Sequence, residues 1–226
     1  MIYLEMFLKI GKYLSILLCI LFVSCFEYEE ELHLKRDFSG EVHINYVVPL
    51  KKYSLNSLIA FLPTQKKDII EKINKSIFSK PIQIYDYHFE VIRSEEEKQQ
   101  ILKQRKKGRV SYKIKFNELS QLEGVLLGNL LVQQKKKSIS IKRQFKSVLK
   151  PIRQTSSLGE KKIHSKTLKL LGDGYAKFKV YFPQNYECES NKGDSGLGYV
   201  YYTMPLVETI EKPGLKSWFF TIRNSE

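Results

Sequence analysis

The chain has few cysteines, three in 226 residues. Cys19 and Cys25 belong to an apolar N-terminal segment, which leaves Cys188 as the single cysteine of the remainder. One thiol cannot form an internal disulfide, so the disulfide-stapled folds of small exported domains are excluded. Cys188 is flanked by Glu187 and Glu189, whose negative charges disfavour a thiolate. We therefore expect Cys188 to be a half-buried or exposed thiol and not a nucleophile.

The motifs of several enzyme classes are also missing. The sequence has no phosphate-binding loop and no dinucleotide-binding fingerprint. Residues 193–196, Gly-Asp-Ser-Gly, are similar to the nucleophile loop of chymotrypsin-like serine proteases, but Leu197 stands where that family has a further glycine. No histidine has the Ala-His-Cys context of that family. We interpret residues 191–196 as a turn between strands, and we predict a protein that is not an enzyme and needs no cofactor.

The four histidines are scattered along the chain, at positions 33, 43, 88 and 164. None forms a pair with helical spacing or a His-Glu-x-x-His motif. His33 and His43 are placed to face each other across a predicted hairpin, as a cross-strand pair on its polar side. The alternative is a weak zinc site, but two ligands without a third do not make one. We therefore predict no metal site.

A short apolar segment is present near the N-terminus. Residues 13–24 carry no charge, and Lys9 and Lys12 precede them. This run is too short to cross a bilayer as a helix, but it suits the apolar region of a secretory signal. It ends in Phe22-Val23-Ser24-Cys25, where two bulky apolar residues and a small residue precede a cysteine.

This ending resembles the lipobox of bacterial lipoproteins, in the relaxed form found in spirochaetes, because Phe22 stands where leucine is preferred. The resemblance covers the first 25 residues. It implies cleavage before Cys25 and attachment of fatty chains such as palmitate to that residue, at about 0.8 kcal/mol of membrane affinity per buried methylene. The alternatives are an uncleaved N-terminal anchor or a signal cleaved elsewhere. A translation start at Met6 instead of Met1 leaves the mature product unchanged.

The resemblance also implies the organisation and location of the protein. Residues 1–24 form the signal peptide, and residues 25–226 form a single globular domain. The apolar content of 42% and the aromatic content of 12% are typical of a folded chain. We expect a protein of the cell envelope that its N-terminal lipid attaches to a membrane, with the outer membrane favoured over the inner one. Nucleic acid is excluded as a partner in that compartment.

Alternation of apolar and polar residues predicts many strands. Residues 27–48 show it twice, on both sides of Ser39-Gly40, and predict a hairpin that begins almost at Cys25. Six further segments are predicted as strands: 82–92, 110–116, 139–145, 175–182, 197–204 and 216–223.

Three segments are predicted as helices. Residues 55–78 have isoleucines at helical spacing, and a capping box at Ser94 opens a polar helix that ends near Lys107. Asn117 is predicted to cap a short turn of helix through Leu122. The expected fold class is therefore α+β, an antiparallel sheet of about seven to eight strands with two or three helices.

Positive charge is concentrated in one stretch. The net charge is +14, and residues 135–169 contain twelve basic residues against one acid, Glu160. One interpretation is a solvated basic face. The other is a site for anionic lipid headgroups or sulfated glycans, since each basic residue near an anionic surface contributes about 1 kcal/mol. The candidate anion-binding residues are Lys135, Lys136, Lys137, Lys142, Arg143, Lys146 and Lys150.

These observations favour a non-enzymatic, lipid-anchored envelope protein whose basic face binds anionic lipid or glycan. One alternative is a periplasmic carrier, in which the sheet and the helix at 55–78 enclose a lipid-like ligand. The other alternative is an envelope enzyme.

Overall fold

The computed structural model describes residues 26–59, 61–76, 82–92, 106–145, 157–159, 165, 174–206 and 216–224. Within these ranges the chain forms eleven β-strands and one α-helix of more than one turn. In chain order these elements are β1 (Glu27–Leu34), β2 (Gly40–Pro49), α1 (Lys66–Ser76), β3 (Ile84–Ile92), β4 (Lys107–Phe116), β5 (Asn129–Lys135), β6 (Ser138–Phe145), β7 (Tyr175–Tyr181), β8 (Tyr186–Ser190), β9 (Asp194–Gly196), β10 (Tyr199–Pro205) and β11 (Lys216–Asn224). No helix in the described ranges has the length and apolar character needed to cross a membrane.

A seven-stranded sheet forms the larger layer, in the order β3-β4-β2-β1-β7-β10-β9. The predicted first hairpin is confirmed, because β1 and β2 pair antiparallel from Glu27 opposite Val47 to Leu34 opposite Gly40. The other neighbour of β1 is β7, and this pair is parallel. The larger sheet is therefore mixed, which corrects the prediction of a purely antiparallel sheet.

A four-stranded antiparallel sheet forms the smaller layer, in the order β5-β6-β11-β8. β5 and β6 form a tight hairpin that ends with Lys135 opposite Ser138. β5 was not among the predicted strands, and it contains the apolar residues Leu130, Leu131 and Val132.

The core lies between the two sheets. Trp218 of β11 packs against Phe178 of β7, with ring centroids 6.1 Å apart, and against Tyr202 of β10 at 5.7 Å. Phe145 of β6 stacks on Phe178 at 4.9 Å. Alternating residues of both sheets are buried, as expected for strands with one face on a core. The inward aromatic side chains thus join the layers.

The predicted α+β class is wrong, because the described chain is mostly β-strand with a single α-helix of eleven residues, Lys66–Ser76. The predicted helix at 55–78 covers this element but begins too early. Leu50 and Ser57 form an isolated β-bridge, and the Leu58 N–H donates to the Pro49 carbonyl at 2.9 Å, so this segment folds back as a loop. The apolar spacing of Ile69 and Ile73, both buried, marks the true helix.

The two other predicted helices have different outcomes. Residues 93–105, which contain most of the predicted polar helix, lie outside the described residues, and Lys107 belongs to β4. The predicted short turn of helix exists as a 3-10 helix at Leu119–Leu122. The side-chain oxygen of Gln121 accepts hydrogen bonds from the N–H groups of Asn117 and Glu118, so Gln121 caps this turn from within.

Candidate functional site

The basic hairpin, defined here as β5 and β6 with Lys135, Lys136, Lys137 and Lys142, places its charges in solvent. All four lysines are exposed. Lys136 and Lys137 form the turn between the strands. Two of the predicted anion-binding residues, Lys146 and Lys150, lie outside the described residues.

Exposed apolar side chains flank Lys142 on the outer face of the smaller sheet. Lys142 lies opposite Leu131 of β5 and opposite Phe219 of β11. The exposed fractions of Leu131 and Phe219 are 44% and 42%. The outer face near the hairpin is therefore both basic and apolar.

Arg143 does not belong to this surface, which corrects its prediction as an anion-binding residue. It points into the core from β6, and its side chain is only 3% exposed. Its guanidinium donates to both carboxylate oxygens of Glu30 on β1, at 2.5 and 3.3 Å. Alternation explains the difference, since Lys142 and Arg143 are consecutive residues of one strand and face opposite sides.

Several groups surround the buried ion pair of Glu30 and Arg143. The Tyr28 hydroxyl donates to Glu30 at 2.9 Å, and burial followed by the Glu30 charge raises the pKa of Tyr28. Arg143 also donates to the Leu127 carbonyl, and its guanidinium lies 5.0 Å from the ring centroid of Phe178. The pair therefore links the two sheets through a hydrogen-bonded network inside an aromatic core.

This ion pair was not predicted, although the sequence contains a signal for it. Glu30 has the same parity as Tyr28 and Leu32, which lie on the buried face of β1. Arg143 has the same parity as Ile141 on β6. Opposite charges at core positions of two different strands indicate a buried ion pair.

The turn of the basic hairpin, with Lys135, Lys136 and Lys137, lies at the end of the domain that is remote from Phe26, whereas Lys142 lies next to Arg143, the partner of Glu30. The Asn224 N–H donates to the Lys137 carbonyl at 2.8 Å, and Asn224 is paired in register with Tyr186. The Tyr186 hydroxyl in turn donates to the carbonyl of Arg36, in the turn that follows β1. Since β1 starts next to Phe26 and a strand rises about 3.3 Å per residue, the length of β1 separates the two ends by about 26 Å.

The anchor-end loop, defined here as residues 51–58, lies at the other end of the larger sheet. It follows the end of β2, which pairs with the start of β1. Its apolar side chains point into solvent, with exposed fractions of 89% for Tyr53, 50% for Leu55 and 40% for Leu58. Lys51 and Lys52 are also exposed, and the Lys52 ammonium lies 5.1 Å from the ring centroid of Tyr53.

A second polar cluster lies on the outer face of the larger sheet. It is the Glu–His block, defined here as Glu31, His33, Glu41 and His43. Two Glu-x-His segments pair antiparallel, so that Glu31 lies opposite His43 and His33 lies opposite Glu41. The predicted facing of the two histidines is confirmed, with ring centroids 4.7 Å apart.

The Glu–His block is held by hydrogen bonds from both sides. Nε2 of His43 lies 2.6 Å from Glu41 Oε1, and the Tyr85 hydroxyl donates to the other oxygen of Glu41. These two contacts, with the Tyr85 bond as the larger cause, lower the pKa of Glu41 to about 2. On the other side, Lys179 donates to Glu31 at 2.6 Å.

His33 has a buried ring nitrogen. Its Nε2 is buried and has no hydrogen-bond partner among the described residues. Its ring stacks on Tyr181 at 4.8 Å. Burial, and then the neighbouring His43, lowers the pKa of His33, so the ring is neutral at neutral pH.

Open grooves adjoin the block on both sides. One groove of about 330 Å³ is lined by Glu31 and His43 with Asp86, Arg109 and Lys113. A second groove of about 320 Å³ is lined by residues that include His33 and Glu41. Small ions and molecules can therefore reach the block from solvent.

Two remaining sequence candidates have structural roles. Cys188 is half-buried. Burial, and then the charge of Glu189, raises the pKa of its thiol to about 12, so the predicted disfavouring of the thiolate is confirmed. Asp194, Ser195 and Gly196 form the short edge strand β9, which Gly193 enters with a positive φ of 73°. The predicted turn is therefore shorter than residues 191–196.

Comparisons with known proteins give one family and several distant structural likenesses. The model of the LIC11874-like family matches residues 20–225. A search of curated proteins gave no match.

The structural likenesses are weak. The folded domain of LppM from Mycobacterium tuberculosis, solved by NMR, has 10% identity and a TM-score of 0.42, with 90% of this chain and 92% of that chain covered. An aminopeptidase N family protein from Idiomarina loihiensis has 9% identity and a TM-score of 0.31. The match covers 88% of this chain but only 29% of that protein's chain. At these scores neither likeness carries a functional argument.

Proposed function

The chain belongs to the LIC11874-like family, and we propose that it is a non-enzymatic lipoprotein of the cell envelope that binds an anionic glycan. In this proposal Cys25 carries the lipid, and the basic hairpin is the binding element. The observation that carries the proposal is that the lipid attachment point lies at one end of the domain and the three lysines of the hairpin turn, Lys135, Lys136 and Lys137, lie at the other.

The start of the fold supports anchoring through Cys25. Phe26 is fully buried and β1 begins at Glu27, so no flexible tether separates the lipid from the domain. The domain must then lie against the membrane with the start of β1 nearest to it.

The anchor-end loop supports the same orientation. Tyrosine is favoured at the interface between headgroups and acyl chains, and exposed leucines gain from partial insertion. Lys51 and Lys52 each gain about 1 kcal/mol near anionic headgroups. The loop therefore has the composition of a surface that contacts the membrane to which Cys25 is attached.

The distance of the basic hairpin from this membrane favours glycan over lipid. The turn of the hairpin, roughly 26 Å beyond the start of β1, lies outside the Debye length of about 8 Å at physiological salt. Headgroups of the anchoring membrane then attract it little, whereas a polyanionic glycan in solution has free access. We assign the hairpin lysines to sulfated or phosphorylated sugars.

The helix on which the carrier alternative relied is shorter than predicted. The long apolar helix that was expected to cover a ligand is reduced to α1, and the apolar residues Ile69 and Ile73 of α1 are buried in the protein core.

The anchor is tested by metabolic labelling with palmitate. We expect the wild-type protein to take up label and to partition into detergent, and Cys25→Ala to lose both properties. The matched control is Cys19→Ala, which keeps the cysteine of the lipobox. Equal labelling of Cys25→Ala and wild type would contradict lipidation at Cys25.

Glycan binding is tested with the full lipidated protein in nanodiscs of neutral lipid and a sulfated polysaccharide in solution. We expect the triple variant K135E/K136E/K137E to lose binding, and wild-type binding to weaken steeply with salt. The control is K51E/K52E, which reverses charge at the other end and leaves glycan binding intact.

The outcomes separate the competing interpretations. Loss of binding to anionic nanodiscs, but not to glycan, in the triple variant would assign the hairpin to lipid. Unchanged binding to both would leave the lysines as a solvated face and would contradict the proposal.

A further inference from the structure

We propose that the Glu–His block binds one zinc ion through Glu31, His33 and His43. Two imidazoles and a carboxylate form one of the donor sets that bind zinc in proteins. In the described part of the chain, this is the one group of three such side chains with close ligand atoms.

The register of β1 and β2 brings the donors together. Side chains opposite each other in an antiparallel pair have Cβ atoms about 5 Å apart, and residues i and i+2 share a face. The two Glu-x-His segments therefore form a compact square, and one ligand atom from each of Glu31, His33 and His43 lies within 4.8 Å of the other two. The two histidines alone offered only two ligands. The register of β1 against β2 places Glu31 opposite His43, where it is the third.

Small side-chain movements complete the geometry. Zinc–nitrogen and zinc–oxygen bonds of about 2.0–2.2 Å place tetrahedral donors roughly 3.3 Å apart. The ligand atoms must therefore approach one another by up to about 1.5 Å, which rotations of half-buried side chains on a rigid hairpin supply. The strand backbones stay in place.

The environment of His33 favours a metal. A histidine binds a metal through a ring nitrogen that carries no proton. The buried Nε2 of this ring has no hydrogen-bond partner among the described residues. Metal binding gives this polar group a partner.

Glu41 acts as the residue that orients His43. Metal-binding histidines commonly donate the N–H of their second ring nitrogen to a carboxylate. This hydrogen bond fixes the orientation of the ring and makes the other ring nitrogen a stronger metal ligand. Glu41 holds Nε2 of His43 at 2.6 Å and is itself held by Tyr85. Its lowered pKa keeps this carboxylate ionised over the whole range in which histidine titrates.

Lys179 competes with the metal for Glu31. Its ammonium lies 2.6 Å from Glu31 Oε1, so it neutralises the carboxylate when no metal is bound. Lys113 adds a second positive charge near the block, and its own partner is Asp86 at 2.9 Å. Removal of the Lys179 charge should therefore strengthen metal binding.

The position of the block gives the metal an open site. Glu31 and His43 face one groove, and His33 and Glu41 face the other. Three protein ligands leave a fourth position for water or a small anion from solvent.

The experiment measures zinc binding to the full-length protein in detergent by isothermal titration calorimetry. Co²⁺ absorption reports the coordination geometry. We expect one zinc per chain, loss of measurable binding in His33→Gln and His43→Gln, and about tenfold weaker binding in Glu41→Gln. Lys179→Met should bind several-fold more tightly than wild type.

The matched control is His88→Gln. His88 lies on β3 of the same sheet but outside the block, and its side chain is 68% exposed. We expect this variant to bind zinc as wild type does. Circular dichroism verifies that each variant is folded.

Equal zinc binding by wild type, His33→Gln and His43→Gln would overturn the proposal.

Discussion

At the scale of single residues, the buried ion pair defines how the two sheets meet. Glu30 and Arg143 are 2% and 3% exposed and come from different sheets. Transfer of both charges from water is costly, and their mutual attraction with the added Tyr28 and Leu127 hydrogen bonds offsets that cost. The pair therefore adds little net stability but fixes one arrangement of the sheets.

The first prediction concerns the loss of one partner. Arg143→Met leaves the Glu30 carboxylate buried without its counter-charge, so we expect the free energy of unfolding to fall by about 3–5 kcal/mol. The double variant Glu30→Leu with Arg143→Met removes both charges and should be more stable than Arg143→Met alone. Urea unfolding followed by Trp218 fluorescence measures both.

The neighbouring Lys142 provides the control. Lys142→Met changes an exposed residue of the same strand and should alter stability by no more than about 0.5 kcal/mol. If the double variant were as unstable as Arg143→Met alone, the explanation by an uncompensated charge would be wrong.

At the scale of elements, the first hairpin depends on a close backbone approach at Gly40. A Cβ atom built on Gly40 would lie 1.9 Å from the His33 carbonyl oxygen and 3.1 Å from the Phe116 ring. Only a residue without a side chain lets β2 start beside β1 at this distance.

The second prediction follows from this contact. Gly40→Ala must displace β1 or β2, and we expect a loss of about 2–4 kcal/mol in the free energy of unfolding. Gly159→Ala is the matched control, because the nearest atom to its built Cβ is Ser157 Oγ at 3.8 Å. Thermal unfolding compares the two variants, and equal melting temperatures would contradict the steric argument.

The elements also show how far the sequence predicts this fold. Alternation located eight of the eleven described strands, namely β1, β2, β3, β4, β6, β7, β10 and β11. It missed β5, β8 and β9, and it missed the parallel pairing of β1 with β7, since periodicity does not report partners.

The candidate sites were also predictable from the sequence only in part. The exposed lysines of the hairpin turn were predictable from charge alone, whereas the burial of Arg143 required the phase of its strand. Glu31, the third ligand of the Glu–His block, could be identified only from the register of β1 against β2, which cannot be read from the sequence.

At the scale of the whole molecule, the two sheets share one core. Trp218 is the single tryptophan of the chain and is 1% exposed. It belongs to the smaller sheet, yet it contacts Phe178 and Tyr202 of the larger one. Separation of the sheets would expose these rings and the buried ion pair together, so neither sheet is expected to survive alone.

The third prediction is therefore a single cooperative transition. Trp218 fluorescence, which reports the contact between the sheets, and far-UV circular dichroism, which reports all strands, should give the same urea midpoint. Gly128→Ala places strain at the start of β5, because Gly128 has a φ of 81° and its built Cβ would lie 2.7 Å from the Gln144 carbonyl oxygen. This variant should lower both midpoints equally. A fluorescence transition at lower urea than the dichroism transition would mean that the smaller sheet detaches first, and would contradict a shared core.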